Sequence, residues 1–144
     1  PKPGVTFKDI TPLLASPAGF KATVDALVAS APTPIDVVVG MEARGFIFAA
    51  PVALALGVGF VPVRKPGKLP GDVFEESFTL EYGTEKLTVH RDAIPRKGRG
   101  PVGDGVQLGA TLVHVSVLME LGFLNGRDRL ASLGIDSCSA VLEA

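Results

Sequence analysis

Asp36-Val37-Val38-Val39-Gly40 is an uninterrupted apolar run too short for a helix. A strand that is apolar on both sides needs cover on both faces, which is the situation of a parallel sheet packed between helices. The run passes through Met41-Glu42-Ala43-Arg44-Gly45 into a second apolar stretch, Phe46 to Leu56, whose length and Ala/Leu content predict a helix ending at Gly57. Pro51 requires that helix to start near Phe48 or to kink. Val58–Val63 is the next strand. Residues 36–63 therefore read as one βαβ unit, with parallel strands and a right-handed crossover. The expected fold is α/β, a single domain over residues 1–144 with a mostly parallel sheet flanked by helices.

The flanking segments are less regular. Residues 1–20 are rich in Pro and Gly and read as irregular, with Asp9 and Thr11-Pro12 supplying turn or cap chemistry. Val24, Leu27 and Val28 give Lys21–Ser30 a helical spacing, stopped by Pro32 and Pro34. After the βαβ unit, Arg64-Lys65-Pro66-Gly67-Lys68-Leu69-Pro70-Gly71 is a basic loop, because its prolines and glycines exclude a helix or central strand. Partial alternation over Glu76–Tyr82 and Lys86–Arg91, with Leu87 and Val89 as the apolar positions, predicts a hairpin turned at Gly83-Thr84. Thr111–Leu121 reads as a strand, and residues 127–144 as a polar connection with a last strand near Cys138–Leu142. Residues 93–110 break the pattern. They hold five Gly and two Pro without helical or alternating period, where a strand and a crossover helix are needed.

Composition narrows the function classes. There are 14 basic and 15 acidic residues, so no net field draws the chain to nucleic acid or to an anionic membrane. No apolar run is long enough to span a bilayer, and Pro1-Lys2-Pro3-Gly4 is not a signal peptide. Cys138 is the only cysteine, which leaves no internal disulfide and no cysteine-based zinc site, so a reduced, cytoplasmic protein is expected.

Two segments carry chemistry. Glu42-Ala43-Arg44-Gly45 joins a strand's carboxyl end to a helix start, where free N–H groups and Arg44 can hold an anion. The other reading is an ordinary βα turn with a surface arginine. Arg64, Lys65 and Lys68 follow the neighbouring strand and should reach the same sheet edge, where open α/β sheets bind ligands. Together the two cationic elements suit a phosphate or diphosphate; alone, the loop is equally a solvated basic segment. Glu81 beside that loop is a general acid or base, a partner for Lys68 or Arg64, or simply a glutamate at a hairpin turn. His90 and His114 lack metal-ligand spacing, Ser137-Cys138-Ser139 shows no nucleophile context, and Cys138 reads as a small core residue.

Five blocks in order, Pro3–Pro12, Glu42–Phe46, Arg64–Pro70, Leu80–Gly83 and Leu124–Arg127, resemble the adenine phosphoribosyltransferase family. The resemblance implies a Rossmann-like, type I phosphoribosyltransferase domain with a flexible hairpin lid over about 64–91. It implies transfer of the phosphoribosyl group from 5-phosphoribosyl 1-diphosphate to adenine, giving AMP and diphosphate, with magnesium bound alongside the diphosphate sugar, in a homodimer. By the same resemblance Glu42, Ala43, Arg44 and Gly45 form the diphosphate loop, and Arg64, Lys65 and Lys68 the basic foot of the lid. Glu81 and Arg64 are then catalytic, Tyr82 is Glu81's neighbour in the lid, Phe7 stacks on adenine, and Thr6 and Lys8 read the base through their backbones. One family feature has no counterpart: a strand ending in two acids, followed by an Ala-Thr-Gly-Gly-Thr turn that cradles the ribose 5-phosphate. Asp104 alone does not replace the acidic pair, so a segment is expected to be missing or deleted within 95–108.

Overall fold

The computed structural model describes residues 8–80, 83–94 and 110–143. The predicted βαβ unit is its centre. Strand β1 (Val37–Met41) leads into helix α3 (Arg44–Leu56) and then β2 (Gly59–Val63), and β1 pairs with β2 in parallel from Val37↔Gly59 to Met41↔Val63. Helix α3 starts at Arg44 and contains Pro51, so it begins earlier than the proline alone suggested. It ends on Gly57, whose φ of 69° is the left-handed conformation that a side chain disfavours. Gly40 answers a different demand: a Cβ there would lie 2.7 Å from both the Ala49 Cβ and a Phe60 ring carbon, so its absence lets strand and helix close on each other.

Residues 11–20, which read as irregular, are helical on both sides of Ser16, and the helix read over 21–30 extends back to Pro17. Helix α1 (Thr11–Ala15) and helix α2 (Pro17–Ser30) precede β1. The prolines that resembled breakers stand in the first turns, where a missing N–H costs nothing. The turn chemistry at Asp9 was legible, for Asp9 accepts from the Thr11 amide at 2.9 Å and hydroxyl at 2.6 Å; the cap of α2, where Ser16 accepts from the Gly19 amide at 3.1 Å, was not.

The hairpin is longer than alternation predicted. Strand β3 (Val73–Leu80) pairs antiparallel with β4 (Gly83–His90), from Val73↔His90 to Leu80↔Gly83. Among its described side chains the buried one is Thr88, 3% exposed, and not Leu87 or Val89. The strand expected over Thr111–Leu121 is confined to β5 (Val115–Glu120). Helix α4 (Gly126–Ser132) lies in what read as a polar connection, and β6 (Cys138–Glu143) pairs parallel with β5. Cys138 is half-buried on that strand rather than in the core. The region expected to lack a segment, 95–108, lies outside the described residues.

The core joins the layers. Leu27 of α2 packs with Phe48 and Val52 of α3, and Val38, Leu118 and Val141 from β1, β5 and β6 close on that cluster. Phe20 meets Phe48 edge-on at 5.8 Å. The two parallel strand pairs thus share one helical cover, the α/β arrangement the sequence predicted.

Candidate active site

The parallel register decides what meets at the sheet edge. Met41 pairs with Val63, so the residues after each strand emerge side by side. The Glu42 amide donates to the Val63 carbonyl at 2.8 Å, and the Glu42 carboxylate accepts the Lys65 amide at 2.7 Å. Arg64 Nε lies 3.4 Å from the same carboxylate oxygen, at ion-pair distance but outside hydrogen-bond alignment. The Lys65 N–H first, and then the Arg64 and Lys68 charges, hold the Glu42 carboxyl below the usual glutamate range, against a partial desolvation that pushes the other way.

Arg64 is fixed from several directions. Its guanidinium donates to the Lys68 carbonyl at 3.0 Å, which folds the basic loop back on itself. Its amide donates to the Thr88 carbonyl at 2.9 Å, and its carbonyl accepts the Thr88 amide at 2.6 Å and hydroxyl at 3.0 Å. Lys65 Nζ lies 3.3 Å from Glu85 of β4. The basic segment is therefore tied to β1 through Glu42 and to the hairpin through Thr88 and Glu85.

Ala43 stands at the N-cap of α3 and Arg44 is its first residue, so the start of the helix lies directly after the strand end that pairs with Val63. The Glu42–Ala43 peptide bond is cis. The Asp9 carboxyl is lowered chiefly by the Thr11 hydroxyl and amide, with a smaller contribution from the Arg44 charge, against a desolvation that pushes the other way. Lys8, next to Asp9, is exposed.

The structure thus brings together Glu42, Ala43, Arg44, Gly45, Arg64, Lys65 and Lys68. Thr6, Phe7, Glu81 and Tyr82 lie outside the described residues. Sequence reasoning missed Thr88 and Glu85, because only the fold reveals that β4 runs beside residue 64. Among the described residues no group of three His, Cys, Asp or Glu side chains could hold a metal ion, and no helix is long and apolar enough to cross a membrane.

A parallel strand edge carrying a helix start and a second, fixed cationic loop, with an antiparallel hairpin rooted beside it, defines the plan of a type I phosphoribosyltransferase. No protein-family model matches the chain. It is 56% identical to an adenine phosphoribosyltransferase of Cutibacterium acnes, over 99% of this chain and 89% of that one. The structure superposes on the crystal structure of adenine phosphoribosyltransferase from Thermoanaerobacter pseudethanolicus with a TM-score of 0.87, at 37% identity, covering 100% of this chain and 91% of that one. The enzyme from Giardia lamblia, solved with 9-deazaadenine, gives a TM-score of 0.82 at 31% identity, covering 98% and 88%. The chain belongs to the adenine phosphoribosyltransferase family. The match to the Cutibacterium protein spans 157 residues against the 144 present here, so at least 13 residues of that span have no counterpart in this chain.

Proposed function

We propose that the chain transfers the 5-phosphoribosyl group from 5-phosphoribosyl 1-diphosphate to adenine, releasing diphosphate and forming AMP in purine salvage. The observation that carries this reading is the hydrogen bond from the Lys65 amide to Glu42, which sets the Arg64 loop against the start of α3. Breaking the bond between the sugar carbon and the diphosphate leaves cationic character on the ribose and negative charge on the leaving group. Donors already fixed in place stabilise that charge without reorganising.

In this reading the Ala43-Arg44-Gly45 backbone and the Arg44 side chain receive the diphosphate, with Arg64, Lys65 and Lys68 facing it from β2. Arg64 acts on the departing oxygens, and Glu42 positions the loop. The substrate is the magnesium complex of the diphosphate sugar. This fits a protein edge rich in cations, since magnesium keeps phosphate and water ligands and needs few protein carboxylates. Bound there, the ion would neutralise charge on the leaving diphosphate. By resemblance Glu81 handles the adenine proton, with Tyr82 beside it, while Phe7, Thr6 and Lys8 hold the base. By resemblance the chain forms a homodimer with the diphosphate-loop helix near the partner, and α3 carries the exposed Leu54, 82% accessible, on its surface. A cytoplasmic setting, without nucleic acid or membrane as partner, completes the reading.

A second reading rests on the residues that have no counterpart here: a relative that binds the diphosphate sugar without turning it over. Incubating the folded chain with adenine, the diphosphate sugar and magnesium separates the two. AMP formation, preferred over product from hypoxanthine or xanthine, supports the transferase. Binding of the diphosphate sugar without diphosphate release supports the second reading, and neither binding nor product overturns both.

A further inference from the structure

Away from the cationic edge, five polar side chains form one hydrogen-bonded row where β5 and β6 begin. Ser30 of α2 lies 3.2 Å from Ser116, Ser116 lies 3.2 Å from Ser139, Ser139 lies 2.8 Å from His114 Nε2, and His114 Nδ1 lies 2.6 Å from Ser137 Oγ. Parallel pairing of Ser116 with Ser139 puts these side chains next to one another. Sequence alternation gave His114 and Ser137-Cys138-Ser139 no joint role, because only the β5–β6 register brings them together.

The direction of every proton in the row follows from its far end. Ser30 Oγ donates its single proton to the Leu27 carbonyl at 2.9 Å, and a carbonyl only accepts. Ser30 must then accept from Ser116, Ser116 from Ser139, and Ser139 from His114 Nε2–H. In neutral His114 this leaves the Nδ1 lone pair free to accept the Ser137 hydroxyl. The Ser137 carbonyl accepts the Val115 amide at 3.0 Å. Because carbonyl and N–H point oppositely across a trans peptide, the Cys138 N–H is turned away from β5. A backbone N–H directly after a nucleophile is one of the donors that acyl-transfer sites use for the oxyanion. Ser137 itself is exposed.

We infer that Ser137 and His114 form a nucleophile–base pair, oriented by the hydroxyl row, that takes up an activated acyl or phosphonyl group from a small electrophile. With a fluorophosphonate, Ser137 Oγ bonds to phosphorus as the P–F bond breaks and fluoride leaves. The Ser137 proton passes to His114 Nδ1 and then to solvent, while Nε2–H stays on Ser139. The reaction needs no further reactant.

The test is incubation of the full chain with an alkyl fluorophosphonate, followed by intact mass and peptide mapping. The expected result is one adduct, on Ser137, absent from Ser137→Ala and formed about 100-fold more slowly by His114→Gln, the scale of general-base assistance. An unlabelled Ser137, or equal rates with His114→Gln, overturns the proposal. Nitrogen-15 NMR of the unmodified chain adds a readout that needs no variant: neutral His114 should carry its proton on Nε2, and a proton on Nδ1 overturns the assignment. None of these outcomes depends on phosphoribosyl transfer.

Discussion

The carboxylate of Glu42 and the backbone N–H of Lys65 meet at 2.7 Å across 23 positions of sequence. A single acidic group thereby fixes the distance between the two cationic elements of the site. Removing it should loosen the basic loop without removing any cation. Glu42→Ala should raise the KM for the diphosphate sugar about tenfold, with a smaller effect on kcat, as expected when a hydrogen bond to a charged group is lost from a binding element. Glu42→Gln keeps an acceptor and should fall between Glu42→Ala and the unaltered chain. Steady-state kinetics with the diphosphate sugar varied checks this ordering.

Acid should dissolve the same link. The Glu42 carboxyl is lowered in the folded chain, so its contribution to stability is present above the ordinary glutamate value and is lost as pH falls through the lowered one. The difference in thermal midpoint between the unaltered chain and Glu42→Gln should be largest near neutral pH and should close below about pH 4, the ordinary range of the side chain. Thermal melts of both proteins across pH 3 to 7, read by circular dichroism, follow the gap. A gap that widens toward acid contradicts the pairing.

Gly40 has no room for a methyl group, since Ala49 and Phe60 both stand 2.7 Å from where it would go. Gly40→Ala should destabilise the fold by about 1–3 kcal/mol through overpacking of the strand–helix contact. Urea unfolding should show a lower midpoint with an unchanged slope.

Leu54 tests the assembly. A charged residue at this exposed position should leave monomer stability near its starting value, and Leu54→Glu should shift a dimer built on α3 toward monomer. Sedimentation velocity at micromolar concentration distinguishes the two states. An unchanged sedimentation profile removes α3 from the interface.

What the sequence disclosed followed from local physics. Val37–Gly40 is apolar on both sides and too short for a helix, and Phe46–Leu56 is long enough for one, so the parallel unit and the edge it builds were readable. The spacing over Lys21–Ser30 disclosed most of the second helix, but the first helix and the opening turn of the second were hidden because Pro12 and Pro17 resemble breakers, and only their place in a first turn makes them compatible with helix. Thr88 was hidden because a buried threonine is explained by its partner, Arg64, which lies 24 residues away in sequence. The cations at 44 and 64 could be assigned to one edge from strand direction alone, whereas the carboxylate joining them depends on register. Roles for Phe7 and Glu81 came from the ordered family blocks, since neither residue stands in a pattern whose spacing alone implies chemistry.

The Arg64–Thr88 bridge says where the hairpin can bend. A flap swinging freely from residues 64–72 would tear three hydrogen bonds at a nearly solvent-free threonine. A bend that keeps these bonds would have to lie outward of Thr88 along the hairpin. With such a bend the basic segment would stay anchored to Thr88, like the bracket of a hinged cover.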